Sequence, residues 1–211
     1  MSEQQSGEQI VVYSDYVCPF CYLGRASLEQ YQERREEPLD IDWRPFDLRS
    51  QQRRPDGSID HSVDTGKDEA YFEEAKQGVR RLQEKYGVEM DLEIAEDIDS
   101  LPAQVVSYHV KTAEDYETWL AFDRAVFEAL WQSGRDIGDR DVLTELATEV
   151  GIDAETVHSA LDDEGLRAEV REQFGAAQQQ GVTGVPTFAY DGYAARGAVP
   201  PEHLERLVEG S

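Results

Sequence analysis

Apolar residues along this chain follow two periods, and the change from one to the other marks its organisation. Ile10, Val11, Val12 and Tyr13 form a short, largely β-branched run that predicts a strand over residues 10–13. After Ser14 and Asp15 comes Cys18-Pro19-Phe20-Cys21, and from there the pattern is helical. Leu23, Ala26 or Ser27, and Gln30 or Tyr31 continue one stripe, which predicts a helix to about residue 35. Pro19 suits the first turn of that helix, where a missing N–H costs nothing. Leu39, Ile41 and Trp43 alternate with Asp40, Asp42 and Arg44 between Pro38 and Pro45, a period of two and so a second strand. Strand, helix and strand make a βαβ opening.

At the far end, residues 187–190 and 194–196 flank an Asp191-Gly192 turn, which predicts a hairpin. Pro200 and Pro201 then open a last helix through Val208, with Leu204 and Leu207 on its apolar side. From residue 68 to about residue 180 the period is helical almost throughout. Phe72, Ala75, Val79, Leu82 and Tyr86 form one stripe, ended by Gly87; Trp119, Phe122, Val126 and Leu130 form another. Val142, Leu143, Leu146, Ala147 and Val150 make a third, started by Asp139 and stopped by Gly151, and Val170, Phe174 and Ala177 a fourth.

Charge narrows the function classes. The 211 residues carry 45 acidic and 20 basic side chains, a net charge of −25, with a pI near 4.3. Such a chain repels polyanions, so neither nucleic acid nor an anionic membrane surface is an expected partner. Hydrophobic content of 39% still suffices for a core. Residues 51–180 hold 31 of the acids against 13 bases, so the charge sits mainly on the helical middle. Only four of the basic residues are lysines. An acid-rich, lysine-poor surface resembles proteins of salt-accumulating microbes, because in about 1 M salt a screening length of roughly 3 Å removes the self-repulsion. The N-terminus shows no basic region followed by an apolar run, and nowhere do about eighteen apolar residues run together. A cytoplasmic location is the expectation.

The only cysteines, Cys18 and Cys21, are three positions apart, and no structural disulfide framework follows from them. The pair reads as a redox dithiol, half a zinc site, or two incidental buried thiols. Zinc needs four ligands, and His61, His109, His158 and His203 are scattered without paired spacing, so no metal is expected. A thiolate is the nucleophile in disulfide exchange, and the N-terminus of a helix favours the anion. Cys18 occupies that position, and Cys21, one turn on, is placed to resolve the mixed disulfide.

The segment Ser14-Asp15-Tyr16-Val17-Cys18-Pro19-Phe20-Cys21-Tyr22-Leu23-Gly24, followed by Gly184-Val185-Pro186-Thr187-Phe188, resembles the DsbA-family thioredoxin-fold oxidoreductases of the FrnE-like branch. The resemblance implies an α/β thioredoxin-like fold, a βαβ half and a ββα half split by a large all-helical insertion. Residues 9–50 and 181–211 would form the discontinuous thioredoxin-like domain and residues 51–180 the insertion. It implies that Cys18 is the nucleophile and Cys21 the resolving thiol, with Pro19 and Phe20 completing the motif. It further implies a cis bond before Pro186, with Val185, Pro186 and Thr187 offering a loop to protein or small-thiol substrates. The dithiol itself would be the only redox group, recharged by a separate redox partner. That branch usually has Trp where this chain has Phe20, and DsbA has His. Phe20 offers neither donor nor charge, which predicts a dithiol less oxidising than that of DsbA.

Thioredoxin-like proteins often carry a buried acid six residues before the first cysteine, where this chain has Val12. Asp15 is expected to cap the active-site helix instead. Tyr22, Trp43, Trp119 and Trp131 are expected in the core, and His109 and His158 on ordinary helical positions. Two other functions compete. Glutathione-dependent isomerases resembling 2-hydroxychromene-2-carboxylate isomerase share the split fold but typically have Ser at the first cysteine position. A chaperone-like module would hold clients between the layers without turnover.

Overall fold

The computed structural model describes residues 8–67, 69–91 and 97–210. It opens with β1 (Glu8–Ser14), α1 (Pro19–Gln32) and β2 (Leu39–Pro45), and ends with β3 (Thr187–Tyr190), β4 (Tyr193–Arg196) and α8 (Pro201–Glu209). Between them lie α2 (Glu69–Tyr86), α3 (Leu101–Ala113), α4 (Tyr116–Trp131), α5 (Arg140–Glu149), α6 (Ala154–Asp162) and α7 (Glu164–Gln179). The sheet order is β2-β1-β3-β4, with β1 parallel to β2 and antiparallel to β3. Val12 of β1 lies in register with Trp43 on one side and Phe188 on the other. The fold is thus a mixed α/β, thioredoxin-like arrangement with a helical layer inserted between its two halves.

Asp191 at φ 44° and Gly192 at φ 82° form the left-handed pair that the hairpin between β3 and β4 requires. Asp139 caps α5 by accepting from the amides of Asp141 and Val142. The active-site helix is shorter than its stripe predicts, ending at Gln32 instead of near residue 35. There Arg35 leaves the helical path, its guanidinium bonding the Tyr31 hydroxyl, Glu8 and Glu209 and so tying the ends of β1 and α8 to α1. The middle of the chain is also less continuous than its period suggests. Helix α2 stops at Gly87, at φ +66°, and residues 88–91 and 97–100 are not helical before α3 begins. The start expected at Asp68 lies outside the described residues.

One cluster joins the two layers: Ile10, Val12, Ile41 and Trp43 of the sheet meet Leu23 and Leu28 of α1 and Trp119, Phe122 and Val126 of α4. Burying each such side chain stabilises the fold by about 1.5–3 kcal/mol, so the helical layer is part of the core that holds the sheet. Polar contacts set its orientation. Lys111 of α3 donates to Asp42 at 2.5 Å and to the Trp43 carbonyl at 2.7 Å, and Trp131 of α4 donates to the Tyr16 carbonyl at 2.9 Å. The last of these fixes the turn that delivers Cys18. Tyr22, Trp43, Trp119 and Trp131 are all buried as expected, and His109 and His158 are half-buried on α3 and α6. Among the described residues no helix is long and apolar enough to cross a membrane, and no cluster of potential metal ligands occurs.

Candidate active site

Strand β1 runs into the turn Asp15-Tyr16-Val17, closed by the Cys18 amide donating to the Asp15 carbonyl at 3.1 Å. Cys18 therefore occupies the N-cap of α1 in an extended conformation, with Pro19 in the first turn. The amides of Cys21 and Tyr22 donate back to the Cys18 carbonyl. Both thiols are free and nearly covered, Cys18 at 4% exposure and Cys21 at 2%. Burial pushes the Cys21 thiol well above its usual range, and the adjacent Cys18 sulfur adds to the rise. Cys21 is held as a thiol until it is called on, which suits a resolving group.

The distant loop arrives as the resemblance implies. The Val185–Pro186 bond is cis, and the Cys18 Sγ lies 3.7 Å from the Val185 carbonyl, to which its S–H donates. Pro186 is buried, and its carbonyl accepts from the Gly197 amide. Thr187 is buried too; its hydroxyl donates to the Gly184 carbonyl at 2.7 Å and closes the loop instead of facing the dithiol. Phe20 is half-buried against α2, where a Cβ at Gly78 would lie 3.3 Å from its ring. Gly24 allows the loop its approach, since a Cβ there would lie 3.0 Å from Pro186 and 3.1 Å from Phe188. Gly24→Val should displace the loop and lower stability by about 1–3 kcal/mol through overpacking, read as an earlier midpoint in denaturant unfolding. A midpoint equal to that of the parent would show that the loop tolerates the added bulk.

Asp15 does not cap α1. Its carboxylate is fully buried, with Oδ1 accepting from the Val17 amide and Gln104 Nε2, both at 3.3 Å, and Oδ2 from the Leu48 amide at 2.9 Å. The turn puts Cys18, three residues later, at the N-cap, so the carboxylate ties together the turn, the segment after β2 and α3. Burial, with the neighbouring Asp47 charge, raises the Asp15 carboxyl from 3.8 to about 6.

Beneath the dithiol lies a buried polar group that no motif in the sequence marks. Arg25, one turn after Cys21, donates to Asp123 Oδ2 of α4 at 2.7 Å, and the Tyr16 hydroxyl donates to Asp123 Oδ1 at 2.9 Å. The Tyr16 and Ser107 hydroxyls are 2.7 Å apart. Burial holds the Asp123 carboxyl above the usual carboxylate range, although Arg25 and Tyr16 pull it down. The available signal was a lone acid, Asp123, beside Phe122 in an otherwise apolar stripe.

The model of the DSBA-like thioredoxin domain matches residues 9–209. The chain belongs to the DSBA-like thioredoxin family. A curated relative in Bacillus subtilis, the uncharacterized protein YwbO, is 30% identical over 200 residues, 94% of each chain. Among solved structures, a probable DsbA oxidoreductase from Streptomyces coelicolor superposes with a TM-score of 0.78 at 24% identity, covering 96% of this chain and 88% of that one. A 2-hydroxychromene-2-carboxylate isomerase superposes with a TM-score of 0.73 at 19% identity, covering 93% and 92%. These likenesses show the fold. The DSBA-like family as a whole comprises oxidoreductases and isomerases, so the choice between them rests on the site of this member.

Proposed function

We propose that the protein is a thiol-disulfide oxidoreductase in which Cys18 attacks a protein or low-molecular-weight disulfide and Cys21 resolves the product. The observation that carries this reading is the seating of Cys18 at the N-cap of α1, with its sulfur against the Val185 carbonyl of a cis-proline loop and a second thiol one turn below. Val185 and Pro186 would meet the substrate, with Thr187 holding their loop. The dithiol is the only redox group the reaction needs, and a separate thiol or disulfide partner returns it to its starting state. Residues 9–50 and 181–211 act as the thioredoxin-like unit and residues 51–180 as its helical insertion. We assign the chain to the FrnE-like branch, in the cytoplasm of a salt-accumulating organism, on its motifs and its acid-rich, lysine-poor composition.

The test is a trap. Cys21→Ser, incubated with glutathione disulfide or a disulfide-bearing protein, should accumulate a mixed disulfide on Cys18, seen by mass spectrometry and released by reductant. No adduct in either dilute buffer or molar salt would overturn the reading, and an adduct rate that falls as salt rises would overturn the salt assignment. The fold shared with 2-hydroxychromene-2-carboxylate isomerase favours isomerisation as a second reading. It requires turnover to persist when Cys18 is replaced by Ser.

A further inference from the structure

Cys21 borders a cavity of about 10 Å³ whose walls include Val12, Ser14, Arg25, Trp43 and Asp123. That is room for about one water molecule, which needs two to four polar partners. The cavity offers them. Arg25 Nε–H is buried and has no hydrogen-bond partner among the described residues, although Nη2 of the same guanidinium holds Asp123. A buried donor left unsatisfied keeps its full desolvation cost, so the site favours an acceptor oxygen there. Ser14 Oγ accepts from Trp43 Nε1 at 2.9 Å, which leaves its own proton to donate. Each Asp123 oxygen accepts one bond, from Arg25 or Tyr16, and retains a free lone pair.

We propose that this cavity binds a water molecule that passes the Cys21 thiol proton to Asp123, so that α4 of the helical layer supplies the proton acceptor for the resolving step. The inference rests on the disulfide-exchange reading above. In a mixed disulfide between Cys18 and a substrate sulfur, the Cys21 S–H gives its proton to the water as the water gives one to the Asp123 carboxylate. The Cys21 sulfur attacks Cys18 Sγ, the Cys18–Cys21 bond forms, and the bond to the substrate sulfur breaks. The two cysteines are oxidised, the substrate sulfur leaves reduced, and it takes a proton from solvent. In reverse, an incoming thiolate opens the Cys18–Cys21 bond and neutral Asp123 returns the proton to Cys21.

Burial raises both the donor thiol and the acceptor carboxyl, and an acceptor lifted toward the working pH is the more effective base. Cys18 and Asp15 face Cys21, while Arg25, Tyr16, Glu29 and Arg124 face Asp123. Asp15 is the less suitable acceptor, because its carboxylate already takes Val17, Leu48 and Gln104 and does not line the cavity.

An aromatic disulfide whose released thiolate absorbs visible light separates the two steps by stopped flow: a first release on attack by Cys18 and a second on resolution by Cys21. Asp123→Asn should slow the second release about a hundredfold at neutral pH and move its pH profile upward, with the first release unchanged. Val12→Ile adds one methyl group at the cavity wall and leaves the Arg25–Asp123 pair in place. It should slow the second release at least about tenfold, and it decides the matter where Asp123→Asn does not fold. A second release within about threefold of the parent in either folded variant overturns the relay. Absence of the first release in the parent protein overturns the disulfide-exchange reading, and the relay with it.

Discussion

Cys18→Ser is expected to lose disulfide exchange by at least about a thousandfold while unfolding no earlier than the parent. The hydroxyl cannot ionise at neutral pH, whatever the helix N-terminus contributes, and oxygen does not form the mixed disulfide. Cys21 cannot substitute for it. The residue is 2% exposed, and burial pushes its thiol well above the usual range. Stability should hold or rise, since Cys18 sits at an N-cap with no side-chain cap bond and Ser is a preferred residue there. The two readouts together exclude an unfolding artefact. Exchange that persists in Cys18→Ser would sink the thiol mechanism. Persistence of turnover on a 2-hydroxychromene-2-carboxylate substrate would move the protein to the isomerase reading.

The parts legible in the sequence are those whose signal is local. The strand around Val12 and the one around Trp43 were visible because apolar positions fall into β-type runs, and the β3–β4 hairpin because Asp191-Gly192 accepts the left-handed backbone. The dithiol and its loop were visible because a motif at Cys18 and another at Pro186 need no knowledge of the packing between them. Arg25 and Asp123 were not, since their bond spans 98 positions and either residue alone looks like a surface charge. Asp123 is one of the 31 acids of residues 51–180, and nothing in their number marks it as the one buried at 1% exposure beneath Cys21. Asp15 departs from the expected cap for a different reason: capping depends on which residue the preceding turn delivers to the N-cap, and here that residue is Cys18.

A second buried charge group carries the largest expected effect on stability. Arg53 donates Nε and Nη2 to Asp47 at 2.6 and 3.1 Å and both terminal nitrogens to Asp99 at 3.0–3.1 Å, with Nη1 also on the Gly57 carbonyl. Its side chain is 5% exposed and that of Asp47 1%. Arg53→Met keeps much of the volume and removes the cation, which leaves the Asp47 carboxylate buried beside Asp15. Stranding one partner of such a pair costs about 3–5 kcal/mol, against a typical total of about 5–15 kcal/mol for a domain. The loss should depend on pH. Asp15 already titrates near 6 in the fold against an ordinary 3.8, so in that window the folded chain binds the extra proton and its stability falls as pH rises. Without Arg53 the Asp47 charge beside Asp15 is no longer offset, which should raise the Asp15 carboxyl further and carry the fall to higher pH. The gap between parent and variant should therefore be smallest near pH 4 and widest at pH 7 and above, in denaturant unfolding followed across that range. A gap under about 1 kcal/mol at pH 7 would mean that solvent reaches Asp47 once the guanidinium is gone, and a larger one that does not narrow in acid would mean that the loss is of packing and not of charge pairing.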